Sequence, residues 1–260
     1  MIFAGIDIGS VTTKAVLLSE KEAILAFAMA PTSFDRNQSG EAVLELALQQ
    51  SGKPRSEIGF TIATGYGRRS FNAVDKVTPE IICHAKGTHF LIPDAKTIID
   101  IGGQDSKIIE MSTDGMVVKF EMNDKCAAGT GRFLEVLTER ILNTPLEDLG
   151  PLSLKANNPC TLSSVCTVFA ETEIISLLSE KKAKEDIAYG MHLAIAKRVI
   201  SMGSGAQIRY EEPIVFTGGV ARNIGVAKAI EEVLAKEIII PEQPQITAAL
   251  GAALAAKDNK

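Results

Sequence analysis

The same pattern occurs twice in this chain, as Gly5-Ile-Asp-Ile-Gly-Ser-Val-Thr-Thr-Lys14 and as Ile99-Asp-Ile-Gly-Gly-Gln-Asp-Ser-Lys107. In both copies a lysine follows the aspartate by seven residues, and the copies are offset by 93 residues. Each copy predicts a β-strand, a tight turn rich in glycine, and a second strand. An internal repeat of this length predicts two similarly built lobes with a ligand cleft between them.

Strand and helix patterns alternate through the rest of the chain, which predicts the α/β class. Apolar spacing predicts helices over residues 41–50, 131–142, 186–202, 224–234 and 248–256, and strands over 60–64 and 213–216. We expect residues 1–95 to form one lobe and residues 96–245 the other. The C-terminal helix, within residues 246–260, is expected to pack back on the first lobe.

Composition excludes several classes of protein. The 260 residues carry 27 basic and 32 acidic side chains and no tryptophan, so no basic surface for a nucleic acid is expected. No apolar run approaches the roughly 18 to 20 residues of a membrane helix, and the N-terminus lacks the pattern of a signal peptide. We therefore expect a cytoplasmic protein with no membrane partner. Four cysteines are too few for a disulfide scaffold, which leaves metal binding or catalysis as their chemical roles.

The glycine-rich turns predict a phosphate site, because glycine lets backbone N–H groups approach an anion closely. A single such turn is typical of an ordinary hairpin, but two matched copies and a third Gly-Gly turn at Gly218 favour a ligand. Asp7 and Asp100, at predicted strand ends, are the candidate Mg²⁺ ligands through water. Lys14 is placed to compensate phosphate charge, and Gln104 to orient an attacking water. The chain lacks the P-loop motif.

Together with Phe216-Thr-Gly-Gly-Val-Ala221, these strings resemble the two phosphate motifs and the adenosine motif of the actin-like ATPase superfamily of sugar kinases and heat-shock chaperones. The resemblance implies two ribonuclease-H-like lobes that close on Mg-ATP. It implies that the phosphates touch Gly9, Ser10, Val11, Thr12, Thr13, Lys14, Gly102, Gly103 and Gln104. It implies that the adenosine lies against Gly218, Gly219, Val220 and Ala221, with Gln245 as a weaker candidate.

Cys126 and Cys166 each precede a predicted helix. A helix N-terminus favours an anionic thiolate, so both are candidate metal ligands, although a single cysteine is more often a small buried apolar residue. A 4Fe-4S cluster needs four thiolates. Two per chain suffice if a two-fold axis makes each chain of a homodimer supply half of the set.

The strings around these cysteines, with Thr64-Gly-Tyr-Gly-Arg68 and Cys83-His-Ala, resemble the activator component of 2-hydroxyacyl-CoA dehydratases, along essentially the whole chain. ATPase subunits of benzoyl-CoA reductase are similar. The resemblance implies a homodimeric ATPase with one bridging 4Fe-4S cluster on Cys126 and Cys166. It also implies that reduced ferredoxin or flavodoxin supplies an electron, which ATP hydrolysis drives into a dehydratase partner.

Two other functions remain open from the residues. A small-molecule kinase would need a carboxylate base, for which Asp105 is a candidate, and a nucleotide-controlled assembly protein would need no acceptor site. Both leave the cysteine strings unexplained. Cys83 lies in a predicted helix and is expected to be structural, whereas Cys160 is expected in a loop before a strand, with no role assigned.

Overall fold

The computed structural model describes residues 1–163 and 166–260. The chain divides into two compact units. Unit 1 comprises residues 1–95, 111–118 and 245–260, and unit 2 comprises residues 96–110 and 119–244.

Unit 1 is built on a five-stranded sheet in the order β3-β2-β1-β4-β5. Its strands are β1 (Ile2–Ile8), β2 (Thr12–Ser19), β3 (Ile24–Pro31), β4 (Ile58–Thr64) and β5 (Lys76–Val77). The first three strands are antiparallel, whereas β4 runs parallel to β1 and β5 runs parallel to β4. Every residue of β1 is buried, because α1 (Arg36–Ser51) and α8 (Thr247–Asp258) both contact this strand.

Unit 2 repeats this arrangement with the sheet order β8-β7-β6-β9-β10. The strands of this second sheet are β6 (Thr97–Ile101), β7 (Ser106–Met111), β8 (Val117–Asn123), β9 (Ile214–Thr217) and β10 (Ile238–Ile239), of which Met111 and the first two residues of β8 are assigned to unit 1. As in unit 1, the first two strands form an antiparallel hairpin, and the fourth runs parallel to the first. The two hairpins that the sequence repeat predicts are therefore confirmed, each as the centre of its own sheet.

The remaining helices lie between these strands. They are α2 (Glu80–Leu91) in unit 1 and α3 (Gly131–Leu137), α4 (Leu146–Ser153), α5 (Thr167–Ser179), α6 (Lys184–Gly205) and α7 (Ile224–Leu234) in unit 2. The single helix predicted over residues 131–142 is a true α-helix only to Leu137 and then widens into one π-helical turn, Thr138–Leu142. In the part of the chain that is described, no helix is long and apolar enough to cross a membrane.

The prediction of a strand after Cys160 is wrong. The described chain on either side of residues 164 and 165 forms no strand there and enters α5 at Thr167. Cys160 instead lies against α6: its backbone N–H donates to the Asp186 carbonyl at 3.0 Å, and its own carbonyl lies where a side chain at Gly190 would project. Cys160 therefore packs on a neighbouring helix and is not followed by a strand in the described residues.

Helices α2 and α8 cross in contact through glycines. A Cβ atom at Gly251 would overlap the backbone carbonyl of Cys83, and one at Gly87 would overlap the carbonyl of Thr247. Because backbone atoms form both obstacles, a side chain at either position would push the two helices apart.

Gly251→Ala is therefore expected to lower the free energy of unfolding by about 3 kcal/mol, at the upper end of overpacking effects. The matched control is Gly205→Ala, since Gly205 is also helical but has no atom within 4 Å of its Cβ position. That variant is expected to be neutral or slightly stabilised. Urea unfolding followed by circular dichroism checks both, and equal midpoints for the two variants would contradict the contact.

Candidate nucleotide and cluster site

The first glycine turn places a buried ion pair at the end of β1. Asp7 and Lys14 are cross-strand partners, and the Lys14 Nζ lies 3.0 Å from the Asp7 Oδ2. The turn closes with the Gly9 N–H donating to the Thr12 carbonyl at 3.1 Å. A Cβ at Gly9 would lie 2.8 Å from that carbonyl oxygen, so this position needs glycine. The geometry leaves Ser10 and Val11 at the tip of the turn.

Not every residue of this turn faces outward. The Thr13 side chain is fully buried, and its hydroxyl lies 2.8 Å from the Thr32 hydroxyl, which itself donates to the Gly9 carbonyl at 2.9 Å. Thr13 therefore braces the turn from behind, while Val11 is exposed and Ser10 and Thr12 are half-buried.

Unit 2 carries the same ion pair with one more carboxylate. Asp100 and Lys107 are cross-strand partners, and the Lys107 Nζ lies 3.3 Å from the Asp100 Oδ2 and 2.8 Å from the Asp105 Oδ2. The turn closes with the Gly102 N–H donating to the Asp105 carbonyl at 2.9 Å. Gln104 is exposed at its tip. A buried lysine between two carboxylates keeps both in place at the end of β6.

The third glycine turn lies beside the second because β6 and β9 are parallel, so their carboxyl ends meet. Asp100 is paired in register with Thr217, whose hydroxyl donates to the Asp100 Oδ1 at 2.8 Å. Gly218 follows with a φ of +89°, and its N–H donates to the Pro244 carbonyl at 2.9 Å. Unit 2 therefore gathers Asp100, both of its glycine turns and the segment before Gln245 at one sheet edge.

The members of the predicted adenosine turn differ in exposure. Gly219 is exposed, Val220 and Ala221 are buried within a short 3₁₀ turn, and Gln245 is half-buried in unit 1. Asp7 and the first predicted phosphate turn also belong to unit 1, whereas Asp100, Gly102, Gly103, Gln104 and the predicted adenosine turn belong to unit 2.

Cys126 and Cys166 lie in different local settings. Cys126 is half-buried in a turn held by Asn123, whose amide accepts from the Cys126 N–H at 3.1 Å and donates to the Cys126 carbonyl at 2.8 Å. The helix that follows begins at Gly131, as the sequence predicts, with Thr130 at its N-cap position, so Cys126 lies several residues ahead of the helix N-terminus. Cys166 is exposed at the N-cap position of α5, as its sequence setting predicts.

The other two thiols are buried. Burial raises the pKa of the Cys83 thiol to about 12, and burial also raises the pKa of Cys160. A raised pKa disfavours the thiolate that metal binding needs. Among the described residues no three His, Cys, Asp or Glu side chains gather into a metal group. Cys126 and Cys166 are thus the two thiols that are not buried, and a 4Fe-4S cluster on them would need two further thiolates.

The sequence patterns do not predict that the threonines that end β4 and β9 lie beside the two aspartates. Thr64-Gly65 and Thr217-Gly218 occupy equivalent positions, because Asp7 pairs with Thr64 as Asp100 pairs with Thr217. The repeated Thr-Gly dipeptide is visible in the sequence, yet the pairing of each dipeptide with its aspartate emerges only from the sheet register.

Known proteins resemble this chain along its whole length. It is 46% identical over 255 residues to the activator of lactoyl-CoA dehydratase from Anaerotignum propionicum, covering 98% of this chain and 96% of that protein. The solved structure of the activator of the 2-hydroxyisocaproyl-CoA dehydratase from Clostridium difficile with bound ADPNP is 44% identical. It superposes with a TM-score of 0.93 over 100% of this chain and 95% of that one.

More distant matches bear on the alternatives. A benzoyl-CoA reductase subunit from Thauera aromatica is 29% identical over 264 residues, covering 97% of this chain and 92% of that protein. A ROK family glucokinase from Streptomyces griseus, 14% identical, shares the fold with a TM-score of 0.60 over 99% of this chain and 100% of that one. The predicted two-lobed α/β fold and the predicted resemblance to dehydratase activators are thereby confirmed.

The model of the BadF/BadG/BcrA/BcrD ATPase family matches residues 4–256, nearly the entire chain. With the repeated Asp-Lys turns and the glycine turn of unit 2 at the positions described, this chain belongs to the BadF/BadG/BcrA/BcrD ATPase family.

Proposed function

We propose that this ATPase is the one-electron activator of a 2-hydroxyacyl-CoA dehydratase. It acts as a homodimer that binds one 4Fe-4S cluster through Cys126 and Cys166 of each chain. Two features support the proposal: the relatives named as dehydratase activators, and the two accessible thiols that contrast with the buried Cys83 and Cys160. The cluster, when bound, supplies a one-electron carrier, which reduced ferredoxin or flavodoxin loads.

The nucleotide roles follow the turns. In this proposal the first turn, Gly9 to Lys14, and the second, Gly102 to Gln104, hold the phosphates through backbone N–H groups. Asp7 and Asp100 hold Mg²⁺ through its waters. The exposed Gln104 orients the attacking water, and Gly218 to Ala221, with Gln245, line the adenosine.

The observation that carries the coupling lies within unit 2. The carbonyls of Gly102 and Gly103 in the second phosphate turn accept from the N–H groups of Gly131 and Arg132, at 2.9 and 2.8 Å. These two residues form the first turn of α3. The chain just before them, from Cys126 to Thr130, is the cysteine turn, which is held by its own hydrogen bonds: the Thr130 hydroxyl donates to the Ala127 carbonyl at 2.7 Å. The phosphate turn and the cysteine turn are therefore one hydrogen-bonded structure.

This connection suggests how nucleotide state reaches the cysteine. A shift of Gly102 and Gly103 on ATP binding or hydrolysis moves the N-terminus of α3 and the cysteine turn with it. Cluster exposure and hydrogen bonding at the sulfur atoms are two features that set a reduction potential. The activator thereby makes electron transfer to the dehydratase depend on ATP.

Gly131→Ala tests the connection. The added Cβ would lie 3.1 Å from the Gly102 carbonyl oxygen and 3.2 Å from the Val220 Cγ2, which loosens the contact without removing a predicted ligand. ATP hydrolysis and iron content are expected to stay near wild type, whereas the effect of MgATP on the rate of iron extraction by a chelator falls about fivefold or more.

The matched control is Gly205→Ala, also a helical glycine of unit 2 but with open space around it. That variant is expected to respond to MgATP as the wild type does. A Gly131→Ala protein whose iron extraction still responds fully to MgATP would show that this contact does not carry the coupling.

The kinase alternative is weaker at its key residue. Asp105, its candidate base, is held in an ion pair with the Lys107 ammonium at 2.8 Å, so its carboxylate already has a partner. A benzoyl-CoA-reductase-type ATPase subunit would use the same nucleotide and cluster residues and would differ in the partner that receives the electron.

A further inference from the structure

In both units, the aspartate of the proposed nucleotide site has the same kind of neighbours on the parallel strand beside it. Asp7 lies in register with Thr64 of β4, and Asp100 with Thr217 of β9. In each unit the next residue is a glycine with a left-handed backbone: φ is +86° at Gly65 and +89° at Gly218. Gly218 belongs to the predicted adenosine turn, but Gly65 has no role in the function proposed above.

At both glycines, a side chain would project toward the carboxylate of an aspartate. A Cβ at Gly65 would overlap the Asp7 Oδ1 and lie 2.7 Å from the Ile8 carbonyl oxygen. A Cβ at Gly218 would overlap the Ile101 carbonyl oxygen and lie 3.0 Å from the Asp100 Oδ1. Positive φ alone does not produce this crowding, because Gly52, with a φ of +66°, has no atom within 4 Å of its Cβ position.

Hydrogen bonds hold the turn that contains Gly65 in place beside the Asp7 carboxylate. The Gly67 N–H donates to the Ile8 carbonyl at 2.8 Å, which ties the turn to the end of β1. The Arg68 guanidinium donates to the Gly65 carbonyl at 2.9 Å, and the Thr64 hydroxyl donates to the Thr78 carbonyl at 2.9 Å. These bonds fix the backbone on both sides of Gly65.

The same threonine position serves the two aspartates differently. Thr217 donates directly to Asp100, whereas the Thr64 hydroxyl is directed to the Thr78 carbonyl. Asp7 is bound by Lys14, and its other oxygen, Oδ1, is the atom that faces Gly65. In unit 1, therefore, the Asp7 Oδ1 lies against the backbone of Gly65 instead of accepting a hydrogen bond from the threonine hydroxyl.

We infer that the turn Thr64–Arg68 is a positioning element of the nucleotide site, in which the absence of a side chain at Gly65 sets the place of the Asp7 carboxylate. This inference rests on the proposed function, since it takes Asp7 as a carboxylate that holds the water shell of Mg²⁺. Gly65 itself touches no ligand and acts through Asp7.

Gly65→Ala is the test, with Gly52→Ala as the matched control for the strain of a side chain at positive φ. Both variants are expected to unfold at a lower urea concentration than the wild type, because alanine is strained at positive φ. In Gly65→Ala alone, the Mg²⁺ concentration for half-maximal ATP hydrolysis is expected to rise about tenfold, because the displaced carboxylate no longer matches the hydrated ion. Identical Mg²⁺ requirements in both variants would overturn the inference.

A double-mutant cycle with Asp7→Asn separates this inference from the proposed function. If Gly65 acts through Asp7, Gly65→Ala adds little to the defect of Asp7→Asn. If Asp7→Asn alone hydrolyses ATP with wild-type Mg²⁺ dependence, the proposed role of Asp7 fails. If Asp7→Asn is impaired but the two effects are fully additive, only the positioning role of Gly65 fails.

Gly65→Asn keeps the experiment decisive should Gly65→Ala not fold. Asparagine tolerates positive φ better than alanine but carries the same Cβ. The rise in melting temperature on adding MgADP, measured at several Mg²⁺ concentrations, is expected to need about tenfold more Mg²⁺ than in the wild type. A wild-type Mg²⁺ dependence in Gly65→Asn would overturn the inference.

Discussion

Asp7→Asn and Asp100→Asn are each expected to lower kcat for MgATP hydrolysis by about a hundredfold, the size of effect seen when one preorganised electrostatic group is lost. Each substitution removes a negative charge that the proposal assigns to the water shell of Mg²⁺. KM for the nucleotide is expected to change much less. In Asp7→Asn the reason is that Lys14, now released from its ion pair at 3.0 Å, becomes available to the phosphates.

Asp7→Asn is expected to be less stable than Asp100→Asn. Asp7→Asn leaves the mostly buried Lys14 without its carboxylate, whereas Lys107 in Asp100→Asn keeps Asp105 at 2.8 Å. Asp114→Asn is the control, because Asp114 is exposed in the turn between β7 and β8. Steady-state hydrolysis at saturating Mg²⁺ measures the effect, and Asn variants that retain kcat within about threefold of wild type would refute the assignment.

Cys126→Ala and Cys166→Ala are each expected to abolish cluster binding. Under the proposal each chain supplies two of four ligands, so one substitution removes two thiolates from the dimer's single site. Iron and acid-labile sulfide, measured after anaerobic purification, are expected to fall from about two of each per chain to nearly zero. ATP hydrolysis is expected to persist, since neither cysteine belongs to the nucleotide turns.

Cys83→Ala and Cys160→Ala are the matched controls, because both thiols are buried and their pKa values are raised. Both variants are expected to keep their iron, although each loses some stability through the change in a packed core. If iron is lost in Cys160→Ala but kept in Cys166→Ala, the ligand is Cys160 and not Cys166. The ligand position that the family resemblance implies would then be wrong.

The two hairpins could be predicted from sequence because their contacts are local. Asp7 and Lys14, like Asp100 and Lys107, are close in the chain, and a tight turn brings them into register. The match between the two copies then indicates two similar units, whose sheets have the same strand order.

The partners on the parallel side of each sheet could not be predicted in the same way. Asp7 and Thr64 are 57 residues apart, whereas Asp100 and Thr217 are 117 residues apart, because unit 2 inserts α3 to α6 before its parallel strand. The offset between equivalent residues of the two units is therefore not constant along the chain. The equivalence of Gly65 and Gly218 can be seen only once the strands are paired. Long-range register depends on how the helices between the strands pack, which short sequence patterns do not encode.

The cysteine segments show the same limit. A strand is predicted after Cys160, but the described residues there form none, and Cys160 itself packs on α6. The helix after Cys126 begins at Gly131, as predicted, but short sequence patterns do not indicate the turn that Asn123 and Thr130 close just before it. That turn is what links the cysteine to the carbonyls of Gly102 and Gly103.

The most direct test of ATP-driven electron delivery is an anaerobic mixing experiment. The dithionite-reduced protein, freed of excess reductant, is combined with a purified 2-hydroxyacyl-CoA dehydratase, and the oxidation of its cluster is followed by absorbance and electron paramagnetic resonance. We expect about one electron per dimer to leave the cluster when MgATP is present and none with MgADP or without nucleotide. Oxidation by the dehydratase that is equally fast without ATP, or a protein that holds no cluster after reconstitution, would contradict the proposed function.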